Sequence, residues 1–199
     1  MIYKFTDSKQ QQLFFVSDYH FGHRGILEHV PERKRLFGDV ENMDNELLKR
    51  TNNLVKPNDI LFFLGDFCFN KHIHSSVYLN RINCNNIHWC NGNHDAIEEI
   101  ATNNKIKSMH DIMEIQINKS INIVLCHYRM ASYNKAFHGA FHLYGHEHQN
   151  HQSAEDEISY NVGVEWTNYE PLSFAKLMEI MKPKKEKWLL KHKKEQNVI

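Results

Sequence analysis

A long apolar run, a net charge and a cysteine framework are all missing from this chain. No stretch approaches the ~18 apolar residues of a membrane span, so no membrane partner is expected. Lys and Arg number 24, and so do Asp and Glu. A formally neutral molecule has no bulk field to draw in nucleic acid or lipid. The four cysteines, Cys68, Cys84, Cys90 and Cys126, form no CxxC pair and no dense pattern. Reduced thiols in apolar positions are expected, and zinc ligation by cysteine has no support. The first residues, Met1 to Lys9, carry charges where a signal peptide needs an apolar segment, which makes a cytoplasmic, intracellular location the expectation. There is no internal repeat and no low-complexity linker before residue 181.

One domain over residues 1–181 and a basic tail over 182–199 are therefore expected. From Lys182 onward there are seven Lys against two Glu, with Trp188-Leu189-Leu190 among them. Docking on the domain or on a subunit partner is one account of this segment. Gripping nucleic acid or an anionic surface is the other.

What the chain does have is histidine, 15 residues of it. Their placement follows the hydrophobic pattern. Leu13 to Ser17 and Ile60 to Leu64 are continuous apolar runs, and Asn86 to Cys90 is a weaker one; such runs suit strands buried on both faces. Each ends at polar residues: Asp18-Tyr19-His20, Gly65-Asp66 and Gly92-Asn93-His94-Asp95. Ligands in open α/β sheets lie at the carboxyl ends of strands, so these donors are expected on one edge. Helices are expected from Met43 to Leu54 and from Ser75 to Ile82, and the start of a third over Asp95 to Ala101. The stretches 112–117 and 121–126 read as a hairpin leading into His127. Phe141 to Tyr144 leads into Gly145-His146-Glu147-His148, and another strand is expected near 158–164. A helix over Pro171 to Met181 and a separate basic one over Lys184 to Lys194 complete the pattern. Strands alternating with helices first and hairpins later give an α/β protein with a mixed sheet or two stacked sheets.

Asp18 and His20 stand two apart, so in an extended segment both reach one ion. His146 and His148 repeat that spacing after Gly145. Asp66 sits at a strand end, where a carboxylate can bridge two ions. Asn93 offers a carbonyl oxygen and His127 a ring nitrogen. Mixed nitrogen and oxygen donors suit manganese first, and iron, zinc or nickel as alternatives, rather than calcium or magnesium. A GHxH string alone would recur by chance in roughly one such chain in twenty, so the weight lies on all five segments in order.

The ordered set DxH, GD, GNHD, H, GHxH resembles the signature of the calcineurin-like metallophosphoesterase superfamily. It runs from Asp18 to His148, most of the chain. His20-Phe21-Gly22-His23 and Asn161-Val162-Gly163-Val164 are similar to segments of small single-domain bacterial and phage members. The residue after the His127-Tyr128 pair departs from them: Arg129 stands where they usually carry proline. The resemblance implies a four-layer α/β/β/α sandwich with two central mixed β-sheets. It implies one divalent metal on Asp18, His20, Asp66 and His148, and a second on Asp66, Asn93, His127 and His146.

The activity implied is hydrolysis of phosphomonoesters or phosphodiesters, of nucleotides or other small substrates, by a metal-bridging hydroxide. His94 is then the proton donor to the leaving group. Asp95 either orients His94 or caps the following helix. His23, Arg24 and Arg129 are candidate phosphate or leaving-group contacts because each lies near a ligand in sequence; solvated surface charge is the other account of the two arginines. His142, in an alternating strand, is expected to be structural. A nuclease that grips single-stranded nucleic acid with the lysine-rich C-terminus is the alternative activity, and a non-catalytic binding module is a third.

Overall fold

The computed structural model describes residues 2–70 and 72–196. The last three residues of the expected basic tail lie outside the described residues. Two five-stranded mixed sheets stack on each other. The first comprises β1 (Ile2–Phe5), β6 (Ile112–Ile117), β7 (Ile121–Cys126), β8 (Phe141–Tyr144) and β9 (Ser159–Asn161), in that order. The second is ordered β10 (Leu172–Ser173), β2 (Leu13–Val16), β3 (Ile60–Phe63), β4 (Ile87–Cys90) and β5 (Ile106–His110). This is the α/β sandwich with two central mixed sheets expected from the sequence.

The apolar runs are continuous because β2 and β3 are covered on both faces. Leu13, Phe15, Ile60 and Phe62 point between the sheets, where they meet Met113, Ile115, Leu125 and Leu143. Phe14, Val16, Leu61 and Phe63 point the other way. That outer face is covered by α1 (Ile26–His29), α2 (Pro31–Phe37), α3 (Val40–Leu54), α4 (Ser75–Leu79) and α5 (Ile97–Ala101). Ile26, Met43, Leu47 and Leu79 are among the residues that seal it. Asp39 caps α3 by accepting from the Asn42 N–H at 2.8 Å, which satisfies one of the orphan donors of the first turn.

The chain's end differs from the expectation. One helix, α6 (Phe174–Gln196), replaces the two, and it contains Pro183. Proline removes one helical N–H and usually kinks or breaks a helix. Here packing on either side holds the two halves together. Leu177 and Met181 are buried in the inter-sheet core. Lys184 is buried and donates to the carbonyls of Ser153 and Ala154. Lys187 pairs with Glu155 at 2.8 Å and Lys191 with Asp156 at 2.7 Å. The helix therefore lies docked along the domain as far as these residues. His142 is structural, as expected: it donates from Nδ1 to the Val124 carbonyl and accepts the Met130 N–H at Nε2.

Candidate metal centre

β2, β3 and β4 are parallel neighbours, so their carboxyl ends fall side by side. The loops leaving β2, β3 and β4 carry Asp18 and His20, Asp66, and Asn93. From the other sheet, β7 leads to His127, and β8 to His146 and His148. Backbone bonds lace these exits together. The Asp18 N–H donates to the Gly65 carbonyl and the His20 N–H to the Asp66 carbonyl, each at 3.0 Å. The Gly145 N–H donates to the His127 carbonyl at 2.9 Å. A bridge between Ser17 and Gly163 joins the two sheets at this edge.

Two groups of donors result: Asp18, His20 and His148 in one, Asp66, His127 and His146 in the other. Within each, the candidate ligand atoms lie within 4.8 Å of one another. Asp66 connects them. Its Oδ2 is 3.5 Å from His20 Nε2 and 3.5 Å from His127 Nε2, while its Oδ1 accepts the His94 N–H at 3.0 Å. Asn93 Oδ1 lies 3.1 Å from His127 Nε2, at the second group.

The residues fit divalent ions on several grounds. His20 Nε2 is buried with no hydrogen-bond partner among the described residues, and an orphaned polar atom in a closed site calls for an explanation such as an ion. His127 donates from Nδ1 to the Leu64 carbonyl at 2.7 Å, and His148 directs Nδ1 at Glu165 Oε1 at 3.2 Å. Each hydrogen bond fixes a tautomer that leaves Nε2 as the ligand atom.

The expected extended geometry of the two pairs is not what forms. Asp18, His20, Asp66, His146 and His148 all have left-handed backbones, with φ of 63°, 55°, 56°, 66° and 45°. Each such residue costs about 1–2 kcal/mol, and strain gathered at donors points to a functional site. The lacing bonds impose it, so the side chains converge by tight turning rather than by strand alternation. Two glycines permit the close approach. A Cβ on Gly145 would sit 2.5 Å from Asp18 Oδ2, and one on Gly92 would collide with Asp66.

Without an ion, the electrostatics are those of donors crowded out of water. Burial drives the Asp18 carboxyl up to about 6, against the pull of His127 and His148. Burial opposes charge on His127, yet the Asp66 hydrogen bond and the Asp18 and Asp66 carboxylates together raise it to about 9. His20 falls well below the usual imidazole range, through burial and then the charge of Arg33.

No protein-family model matches the chain. It is 31% identical over 178 residues to Uncharacterized protein MJ1445 of Methanocaldococcus jannaschii, across 86% of this chain and 92% of that one. The chain belongs to that protein's family. The crystal structure of the protein of unknown function AQ665 from Aquifex aeolicus is similar in fold, with a TM-score of 0.65 at 20% identity. The match covers 85% of this chain and 99% of the other.

The remaining sequence candidates divide. His94 stands beside the clusters, its ring 5.5 Å from that of His20 and 4.4 Å from Phe69. His23 is at the same wall: its Nδ1 is 3.3 Å from His20 Nδ1, and its ring packs edge-on to Phe69 at 4.7 Å. Asp95 takes neither of its expected parts. Its carboxylate accepts from the Phe67 N–H, the Gly92 N–H and the Trp89 indole, each at 2.9 Å. It makes no hydrogen bond with His94 among the described residues, and α5 has no side-chain cap. Asp95 thus braces the loop that carries Asn93 and His94. Arg129 turns away to Glu157 at 3.2 Å and lines a cavity of about 270 Å³ with Tyr133, Phe137 and Trp188, a wall that includes no metal donor. Arg24 is exposed, and its guanidinium has no hydrogen bond or ion pair among the described residues.

Two residues escaped the sequence reading. Arg33 is fully buried, and Glu165 nearly so. Burial raises the Glu165 carboxyl, but Arg33 and then His148 overcome it and hold it at about 2. Arg33 lies in Pro31-Glu32-Arg33-Lys34-Arg35, where nothing local separates it from its charged neighbours. Glu165 directly follows Asn161-Val162-Gly163-Val164, and that adjacency is the one signal the chain offers.

Proposed function

We propose that this chain is a dinuclear metal-dependent phosphoesterase of the calcineurin-like kind. The single observation that carries the reading is Asp66 Oδ2, equidistant at 3.5 Å from one histidine of each cluster. One carboxylate oxygen of the second group within reach of the first group's His20 is what a pair of cations a few ångströms apart requires. Asp18, His20, Asp66 and His148 would hold one ion, and Asp66, Asn93, His127 and His146 the other. Manganese is the first choice of metal, with iron, zinc and nickel as alternatives. Bound there, two divalent cations supply Lewis acidity to phosphoryl oxygens and an acidified water nucleophile.

The chain's own residues do the rest. Asp66 Oδ1 holds the His94 N–H, which fixes the imidazole's backbone beside the bridging carboxylate. His94 belongs to neither donor group, so its ring is left to protonate the leaving oxygen, a role worth about 10²- to 10⁴-fold. The rings of His23, Phe69 and His94 pack edge-on and tilted against one another at that point, an aromatic patch that suits an aryl or nucleoside leaving group. Four buried, unpaired cysteines go with a reducing, cytoplasmic setting. No helix among the described residues is long and apolar enough to cross a membrane.

The nuclease alternative draws less support. Lys184, Lys187 and Lys191 of the basic helix are already engaged by Ser153, Ala154, Glu155 and Asp156.

The test is manganese-supplemented turnover of a chromogenic aryl diester and of an alkyl diester. Turnover by the wild type is expected. His94→Gln should keep its metal and slow the alkyl ester, with the poorer leaving group, far more than the aryl one. No turnover of either ester, nor of mononucleotides, by the manganese-loaded wild type would sink the reading.

A further inference from the structure

We propose that Arg33 and Glu165 form a charge-neutral brace that sets the cation affinity of the first cluster, Asp18, His20 and His148, and not of the second. This rests on the two-cation reading above. Neither residue is a donor in either cluster, and no step assigned so far uses them.

The geometry joins three distant segments. From α2, Arg33 Nη2 donates to the Asp18 carbonyl at 2.6 Å and Nη1 to the Tyr19 carbonyl at 2.9 Å. Its Nε and Nη2 both donate to Glu165 Oε1, at 2.8 and 2.5 Å. That same oxygen receives His148 Nδ1 at 3.2 Å. Two members of the first cluster, at opposite ends of the ligand set, therefore hang on one guanidinium–carboxylate pair.

Each contact has a consequence for an ion. The left-handed turn at Asp18 and His20 is held on its N–H side by Gly65 and Asp66 and on its carbonyl side by Arg33, and a planar guanidinium can hold both carbonyls at once. A carboxylate on Nδ1 fixes the His148 tautomer and raises the basicity of Nε2. A lone buried carboxylate would be costly, and Arg33 balances its charge. Among the described residues, neither Arg33 nor Glu165 hydrogen-bonds to Asp66, Asn93, His127 or His146. The effect should accordingly be confined to one site.

The experiment reads manganese binding rather than turnover, by the electron paramagnetic resonance of free Mn²⁺ titrated into ion-stripped protein. Wild type should take up two equivalents. Glu165→Gln is then placed in a His146→Ala background, where the first cluster stays complete, and in a His148→Ala background, where the second does. Affinity should fall roughly ten- to a hundredfold in the first background and stay within about twofold in the second. Arg33→Lys keeps the charge but cannot span two carbonyls and a carboxylate; it should act in the same direction and decides the matter if Glu165→Gln does not fold. Equal weakening in both backgrounds would mark a general structural role and overturn the proposal. No weakening in either would also overturn it while leaving the two-cation reading intact. A wild type that binds no manganese would end both.

Discussion

At the first cluster Asp18 is wholly buried, His20 nearly so, and the outer member His148 is tied by Nδ1 to Glu165. At the second, Asp66 and His127 are as deeply buried, but the outer members His146 and Asn93 are exposed. The backbone N–H of His146 donates to both Asp18 oxygens at 3.1 Å, but its ring has only ring contacts among the described residues, with Tyr128 at 4.8 Å and His127 at 5.2 Å. The donor types are nearly the same, so the difference lies in what surrounds them. Donors fixed by buried hydrogen bonds are preorganised, and an ion that meets them does not have to order side chains as it binds. Donors on the rim are ordered by the ion itself. The first cluster should thus hold its cation more tightly, and the second should exchange it and face the substrate.

Asp66→Asn strikes both clusters and should have the largest effect. Metal content should drop from two equivalents to below one by elemental analysis, and turnover about a thousandfold or more. Retention of two equivalents would contradict the bridging role. Gly145→Ala discriminates between the clusters. Its new methyl would press on Asp18 Oδ2 and on Ser17, so overpacking should cost about 1–3 kcal/mol in denaturant unfolding and expel the first ion before the second. Loss of the second ion first would break the comparison.

The pH dependence of the ion-free protein sharpens it. His127 is raised from 6.5 to about 9, so its contribution to stability is complete below about 6.5 and is lost as pH rises through 9. Asp18 is raised from 3.8 to about 6, so its contribution, present in full below 3.8, is lost as pH rises through 6. The melting temperature of chelator-treated protein should therefore fall in two windows. Asp18 shares the lower one with Asp44, which burial likewise raises to about 6. His127 shares the upper one with His148, whose burial is outweighed by Glu165 and Asp18, which raise it. His127→Asn should shrink the upper fall to the part that His148 carries; an unchanged fall would show that His127 does not titrate there.

Much of this site was readable from donor chemistry alone. Asp18, His20, Asp66, Asn93, His127, His146 and His148 each follow an apolar run or a glycine, and the runs form β2, β3, β4, β7 and β8. Of the edge strands, β9 was legible within 158–164, but β1, β5 and β10 were not. Ile2–Phe5 is half exposed and Leu172–Ser173 is two residues long, so neither prints a pattern. The left-handed turns were missed because tertiary bonds between β2 and β3 exits impose them, against local preference. Arg33 and Glu165 stand 132 positions apart, and no periodicity records a contact made only when both sheets have closed. Proximity in sequence misled at Arg129, two residues beyond His127, because the chain turns outward to Glu157 there.

Arg129→Ala should give the smallest effect. It breaks a half-exposed pair with Glu157, which is worth about 0–1 kcal/mol, and should leave metal content and turnover of small esters near wild type. A turnover loss beyond a few fold would return Arg129 to the substrate wall.

The most direct measurement is anomalous diffraction at the manganese edge from crystals grown with Mn²⁺. Two peaks flanking Asp66 Oδ2 are predicted, one reached by Asp18, His20 and His148 and the other by Asn93, His127 and His146. A single peak, or two that do not share Asp66, would contradict it.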